Sequence, residues 1–171
     1  LAISAINCDV TMNDISIKMR AFEILEMPLE KLPPSRPSYV SFSRNVFIPL
    51  TNVCRNKCGY CGFRRDIRSK EAYLLSPEEV ASILKRGREA HATEALFTFG
   101  ERPEQIPEFR EWLHCLGYSK TVDYLYDLCE LALEYGLLPH SNPGIMSYGE
   151  QKRLKSVNAS MGLMLETIAK L

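Results

Sequence analysis

Short apolar runs alternate along this chain with stretches of helical periodicity, and that alternation limits the fold more than anything else in it. "NVFIPLTN" (45–52), "EALFTF" (94–99), "LLPHSN" (137–142) and "ASMGLML" (159–165) read as strands. Between them lie segments whose apolar residues recur at helical spacing. In "SPEEVASILKRGREA" (76–90), Ser76 is an N-cap, Pro77 suits the first turn and Glu79 completes a capping box. Val80, Ile83, Leu84 and Gly87 share its apolar face. A second helix is expected over about 103–116, with Ile106, Phe109, Leu113 and Leu116 inward and Gly117 stopping it. A third, over 119–135, carries Val122, Leu125, Tyr126, Cys129, Ala132 and Leu133 as a stripe before the C-capping Gly136. "SYGEQKRLKS" (147–156) is the last. Strand, helix, strand, helices, strand, helix, strand predicts an α/β fold with a parallel sheet and right-handed crossovers.

Upstream, residues 11–27 read as a helix on Ile15, Met19, Phe22 and Ile24, and "KLPPSRPS" (31–38) as a connector. Two regions follow: 1–44, an N-terminal helix with a Pro-rich connector, and 45–171, the main domain. Formal net charge is zero, so no global electrostatic footprint favours nucleic acid or an anionic membrane. Asp9 and Asp14 interrupt the apolar core a signal peptide needs, and no uncharged apolar run approaches the ~18 residues of a membrane span. The reading is cytoplasmic, hence reducing, where disulfides are rare.

Chemistry concentrates in "VFIPLTNVCRNKCGYCGFRRD" (46–66), which sets Cys54, Cys58 and Cys61 as C-x3-C-x2-C directly after the first strand. Three such thiols form one disulfide with one left over, or hold a metal. Structural zinc wants ligands in pairs, and no second pair follows. Ferredoxin runs use four thiolates, and the next cysteine, Cys115, is far along the chain. Three thiolates suit a 4Fe–4S cluster with one iron left open for a ligand. Gly59 and Gly62 let the loop wrap tightly, and Tyr60 supplies an aromatic face. A loop after a parallel strand is also where α/β folds place chemistry.

This motif resembles the radical S-adenosylmethionine (SAM) superfamily. More narrowly, "PLTNVCRNKCGYCGFRR", "TFGERPE", "HSNPG" and "SMGLMLE" resemble the CofG subunits of FO synthases, which make the 5-deazaflavin chromophore FO. The resemblance implies a (β/α) TIM-type barrel in which Cys54, Cys58 and Cys61 bind three irons and SAM chelates the fourth. One electron then cleaves SAM to methionine and a 5′-deoxyadenosyl radical. By family position Gly100 and Glu101 hold the SAM amino group, Tyr60 lies against adenine, and Asn142 and Glu166 contact the SAM carboxylate or ribose.

Each role has a plainer counterpart. Glu101 also reads as a solvated acid opening a helix before Pro103, Tyr60 as packing, and Asn142 and Glu166 as strand-end caps. Arg64 and Arg65 fit an anion-steering role or a solvated basic face. His140 reads as a packed neutral ring, and Cys115 and Cys129 as core residues; Cys8 is uninformative.

The implied reaction is lyase chemistry of deazaflavin coenzyme biosynthesis. The radical takes hydrogen from the hydroxybenzyl–ribityluracil adduct, the uracil nitrogen closes onto the phenol ring, and ammonia leaves. Implied partners are a CofH-type subunit and an electron donor such as ferredoxin or flavodoxin. The nearest alternative is CofH-type or related radical SAM chemistry on tyrosine or a menaquinone-pathway intermediate. An alternative of another class is a non-catalytic iron–sulfur electron-transfer or structural metal module. A complete barrel has eight strands, or about six in the superfamily's shorter form, over about 200–250 residues. Only four strands are found in 171 residues and the chain opens on Leu1. The expectation is an open, four-stranded partial barrel, the N-terminal half of such an enzyme and inactive in FO formation by itself.

Overall fold

The computed structural model describes residues 23, 26–31 and 41–164. The chain divides between Ser41 and Phe42. Of the first unit, one 3-10 turn, Leu29–Lys31, is described. The helix expected at 11–27 and the connector at 31–38 lie largely outside the described residues.

The second unit is organised on one sheet of four strands in the order of the chain, all parallel: β1 (Asn45–Thr51), β2 (Glu94–Phe99), β3 (Leu138–Asn142) and β4 (Ser160–Met161). Helix α1 (Pro77–Glu89) links β1 to β2, α2 (Pro107–Cys115) and α3 (Thr121–Glu134) link β2 to β3, and α4 (Tyr148–Leu154) links β3 to β4. This is the expected α/β architecture, an open partial barrel of (β/α) type. Among the described residues no helix is long and apolar enough to cross a membrane.

Local chemistry explains most of these elements. Alternation in β2 sends Ala95, Phe97 and Phe99 into the core, where Ile48 and Leu50 of β1 meet them. Pro49 cannot donate to a ladder. The register with β2 shifts there, and the strand tolerates it because no second strand ladder runs along β1 at Pro49 among the described residues, the returning segment bridging only its end (Thr51 to Leu74). The capping box of α1 forms as read: Ser76 Oγ accepts from Glu79 N at 3.3 Å, and Glu79 Oε2 accepts from Ser76 N at 2.7 Å. A Cβ on Gly87 would stand 2.8 Å from Val46 Cβ, so α1 lies directly on β1.

Some expectations needed correction. The helix at 103–116 is two pieces, a 3-10 turn Pro103–Gln105 and then α2. Pro107 lacks an N–H and holds Ile106 extended (φ −86°, ψ 121°), so one helix cannot run through. Leu133 falls off the α3 stripe and is 44% exposed. Cys115 is exposed rather than core. β4 covers Ser160–Met161 only, its ladder with β3 ending at the rung Ser141–Met161. The rest of the expected strand 159–165 is irregular through Met164.

Candidate cluster and SAM site

Of the residues singled out from sequence, the cysteine loop with Tyr60, and Gly100, Glu101 and Asn142, lie at the carboxyl ends of β1, β2 and β3. Beyond β1, Thr51 Oγ1 donates to Tyr73 O at 2.5 Å, and the buried Asn52 clamps the returning segment. Its Nδ2 donates to Glu71 O at 2.8 Å, its Oδ1 accepts from Tyr73 N at 3.1 Å, and its carbonyl accepts from Arg65 N at 2.9 Å. The loop 54–64 is thus closed at its base. Arg65 Nη1 donates to Gly62 O at 2.8 Å, its Nε pairs with Glu71, and Arg64 Nε donates to Cys54 O at 3.3 Å. Both arginines bond loop backbone and face an acid just beyond it, Arg65 on Glu71 and Arg64 with Nη2 3.6 Å from Asp66 Oδ2, so a free basic face is not what they form. Nothing in the sequence singled out Asn52, because its role exists only once 71–73 folds back beside β1.

Cys54 is half-buried; Cys58 and Cys61 are exposed. Cys54 Sγ accepts backbone N–H bonds from Glu101 at 3.1 Å and Asn56 at 3.3 Å, and Cys61 Sγ accepts from Arg64 N at 3.4 Å. Hydrogen bonds of this kind to sulfur tune a cluster bound to it. Gly100 makes the approach from β2 possible, since a Cβ there would lie 2.3 Å from Cys54 Cβ. Gly59 and Gly62 do not have this role. A Cβ on either would meet nothing within 4 Å, and neither takes a left-handed conformation.

The Glu101 side chain is only 10% exposed, which removes the reading of a solvated helix-start acid. Its Oε2 accepts from Ile145 N at 2.8 Å in the loop after β3, and Arg55 Nη2 stands 3.7 Å from Oε1. Gly144 takes φ +76°, and a Cβ there would sit 2.3 Å from Glu101 Oε2, so glycine alone permits this seat. Asn142 closes β3 with Oδ1 against Gly162, where a Cβ would lie 2.2 Å away. His140 Nδ1 shares a short hydrogen bond with Ser160 Oγ across the β3–β4 rung. Tyr60 is 66% exposed on the cysteine loop. Glu166 lies outside the described residues. Cys129 is buried as expected, beside Ser141 Oγ (3.6 Å) and Asn158 Nδ2 (3.5 Å), and burial pushes its thiol up to about 11.

Sequence reasoning also missed Arg102 and Glu150. Arg102 forks onto Glu150 with Nη1–Oε1 at 2.8 Å and Nη2–Oε2 at 2.7 Å, which pulls the Glu150 carboxyl down to about 2. The signal available was the capping box of α4, where Ser147 and Glu150 stand at the right spacing.

Three thiols on one loop are a donor set of the kind a 4Fe–4S cluster takes. Among the described residues no three of His, Cys, Asp and Glu stand close enough to hold a single metal ion. A 4Fe–4S cluster takes its thiolates at separate corners, and two of the three sulfurs here are already provided with backbone donors.

A loop of three thiols after the first strand of a parallel α/β sheet, faced by a buried acid after the second, defines a class of protein. The Radical SAM superfamily model matches residues 48–168, and the chain belongs to that superfamily. Its enzymes work with a 4Fe–4S cluster and SAM. At closer range the chain is similar to proteins named 7,8-didemethyl-8-hydroxy-5-deazariboflavin synthase. The relative in Methanococcoides burtonii is 59% identical over 135 residues, covering 79% of this chain and 41% of the relative. That in Methanosarcina barkeri is 55% identical over 132 residues (77% and 41%). That in Methanopyrus kandleri is 54% identical over 132 residues (76% and 40%). The chain therefore spans about 40% of the length of the curated relatives it matches. Among solved structures, the FeFe-hydrogenase maturase HydG from Carboxydothermus hydrogenoformans superposes with a TM-score of 0.54 at 25% identity, over 68% of this chain and 25% of HydG.

Proposed function

We propose that this chain carries the cluster-binding and SAM-binding part of an enzyme that forms FO from 5-amino-5-(4-hydroxybenzyl)-6-(D-ribitylimino)-5,6-dihydrouracil with loss of ammonia. Cys54, Cys58 and Cys61 would hold a 4Fe–4S cluster through three of its irons, with the fourth left to SAM. When bound, the cluster would supply the one-electron reduction that SAM cleavage requires. The chain's own residues bind and orient. Glu101 takes the SAM ammonium, Gly100 lets its backbone reach Cys54, Tyr60 covers the adenine, and Asn142 and Glu166 receive the carboxylate or ribose.

One observation carries the SAM reading: Glu101 joins both halves of the site. Its amide N–H bonds Cys54 Sγ at 3.1 Å while its side chain is nine-tenths buried. A buried carboxylate beside the first thiolate suits a ligand that offers an ammonium and binds iron at once. The FO assignment is supported by the identity with the FO synthases. The free thiols of the five described cysteines suit a reducing, cytoplasmic setting. A CofH-type subunit would supply the adduct, and ferredoxin or flavodoxin the electron.

The test is anaerobic reconstitution with iron and sulfide, followed by SAM titration watched by EPR. A SAM-dependent change in the cluster signal is expected; an unperturbed signal would favour the electron-transfer module instead. With dithionite and the adduct, a full-length protein carrying this sequence should release 5′-deoxyadenosine and a fluorescent deazaflavin. Turnover of tyrosine in place of the adduct would move the assignment to CofH-type chemistry.

A further inference from the structure

Arg102 is one of two non-glycine residues with positive φ among those described, at φ 40°, ψ 54°. An arginine in the left-handed region is uncommon and persists where its surroundings hold it. What holds it is a pair of acids, one on α4 and one in the 3-10 turn that Arg102 itself opens. Glu150 of α4 takes the guanidinium fork, and Glu104 stands 3.6 Å from Nη1. The three side chains are 21%, 14% and 12% exposed for Arg102, Glu150 and Glu104. Glu104 is itself fixed by Thr121 Oγ1 at 2.8 Å, at the start of α3. Glu150 in turn binds Ser147, accepting from its N at 2.8 Å and its Oγ at 2.9 Å. Ser147 is two residues past Ile145, whose N–H holds Glu101.

Two ties therefore join the loop after β2 to the loop after β3. One is Glu101 to Ile145 N; the other is Arg102 to Glu150, on the adjacent residue and one turn further on. The first is a single hydrogen bond at the site itself. The second is a bidentate, mostly buried ion pair outside it. We infer that Arg102 is a positioning residue: its fork onto Glu150 fixes the 143–147 loop, so that Ile145 N–H keeps the Glu101 carboxylate in place. The proposed consequence for SAM rests on the reading of Glu101 as the ammonium seat; the positioning itself does not.

The experiment separates the two. In the full 171-residue chain, Arg102→Lys keeps the charge and loses the fork, while Arg102→Gly also relieves the backbone. Hydrogen exchange should accelerate at the Ile145 amide by about tenfold in both, with core amides such as Phe97 unchanged. Unchanged exchange at Ile145, or equal acceleration at Phe97, overturns the inference. SAM affinity, read from the cluster's EPR change, should fall by about tenfold in Arg102→Lys, and by much less when Glu101→Gln is already present. Additive losses overturn action through Glu101. If Glu101→Gln alone leaves SAM affinity intact, the ammonium seat is wrong, and the exchange result still decides the positioning.

Discussion

Cys54 differs from Cys58 and Cys61 in how much protein surrounds it, yet all three should be equally necessary, since two thiolates cannot hold three irons. Replacing any one by Ala should abolish cluster loading, measured as iron per chain after reconstitution. Cys129→Ala removes a buried thiol and its contacts with Ser141 and Asn158, so it should cost about 1–2 kcal/mol of stability and keep the iron. Loss of iron in that variant would break the three-cysteine assignment. Glu101→Gln keeps the shape and loses the charge; it should leave iron untouched and weaken SAM by about 1.5–3 kcal/mol, as a charged hydrogen-bonded pair becomes neutral. An unaltered SAM titration would leave Glu101 with the structural job of holding Ile145. These residues were legible because thiol spacing and the end of a strand are local facts. Asn52, Arg65 and Arg102 were not, since each acts on a segment brought near only by the fold.

At the scale of elements, α4 is anchored by chemistry that titrates. Glu150 faces Arg102 and the Ser147 cap, with Glu104 across the same guanidinium. The Arg102 fork, ahead of the Ser147 bonds, depresses its carboxyl from 4.5 to about 2. A depressed acid stabilises the fold above its unfolded pKa, and that contribution drains as pH falls from about 4.5 towards 2. Urea midpoints of the cluster-free chain should therefore drop across this window, and Glu150→Gln should be less stable at neutral pH with a shallower drop. Parallel curves for the two proteins would mean the pair contributes nothing. The capping boxes at Ser76 and Ser147 were readable because their signal lies within four residues. The split at Pro107 was equally local, but an apolar pattern running through it hid the break. The length of β4 was not readable at all: the pattern 159–165 is strand-like, and how much of it pairs is decided by β3, a strand far away in sequence. Cys115 and Leu133 show the same boundary, each next to a stripe but turned out of it by the helix phase.

For the whole molecule, the open sheet has consequences that no single element carries. Among the described residues β1 forms a strand ladder only with β2, its end being bridged by the returning segment (Thr51 to Leu74, with Leu75 N donating to Leu50 O at 2.9 Å), and β4 pairs only with β3, so most of each outer edge lacks a partner. Phe47 on β1 is 52% exposed, and past β4 Leu163 and Met164 are 65% and 57% exposed, with Ile145 nearby in sequence to α4 at 62%. Unpaired strand edges with large apolar side chains favour pairing between chains. Nothing electrostatic opposes it, because the formal net charge is zero near pH 7. Sedimentation at neutral pH should therefore show a mass that rises with concentration. Phe47→Lys places a charge on the β1 edge and should lower that mass at equal concentration, while core substitutions of similar stability cost should not. Raising the pH well above neutrality should act in the same direction by giving every copy a net negative charge. Added salt should then restore association by screening it. A monomer at all concentrations tested would mean that neither edge is available, and a mass indifferent to Phe47→Lys would move the contact to the β4 side.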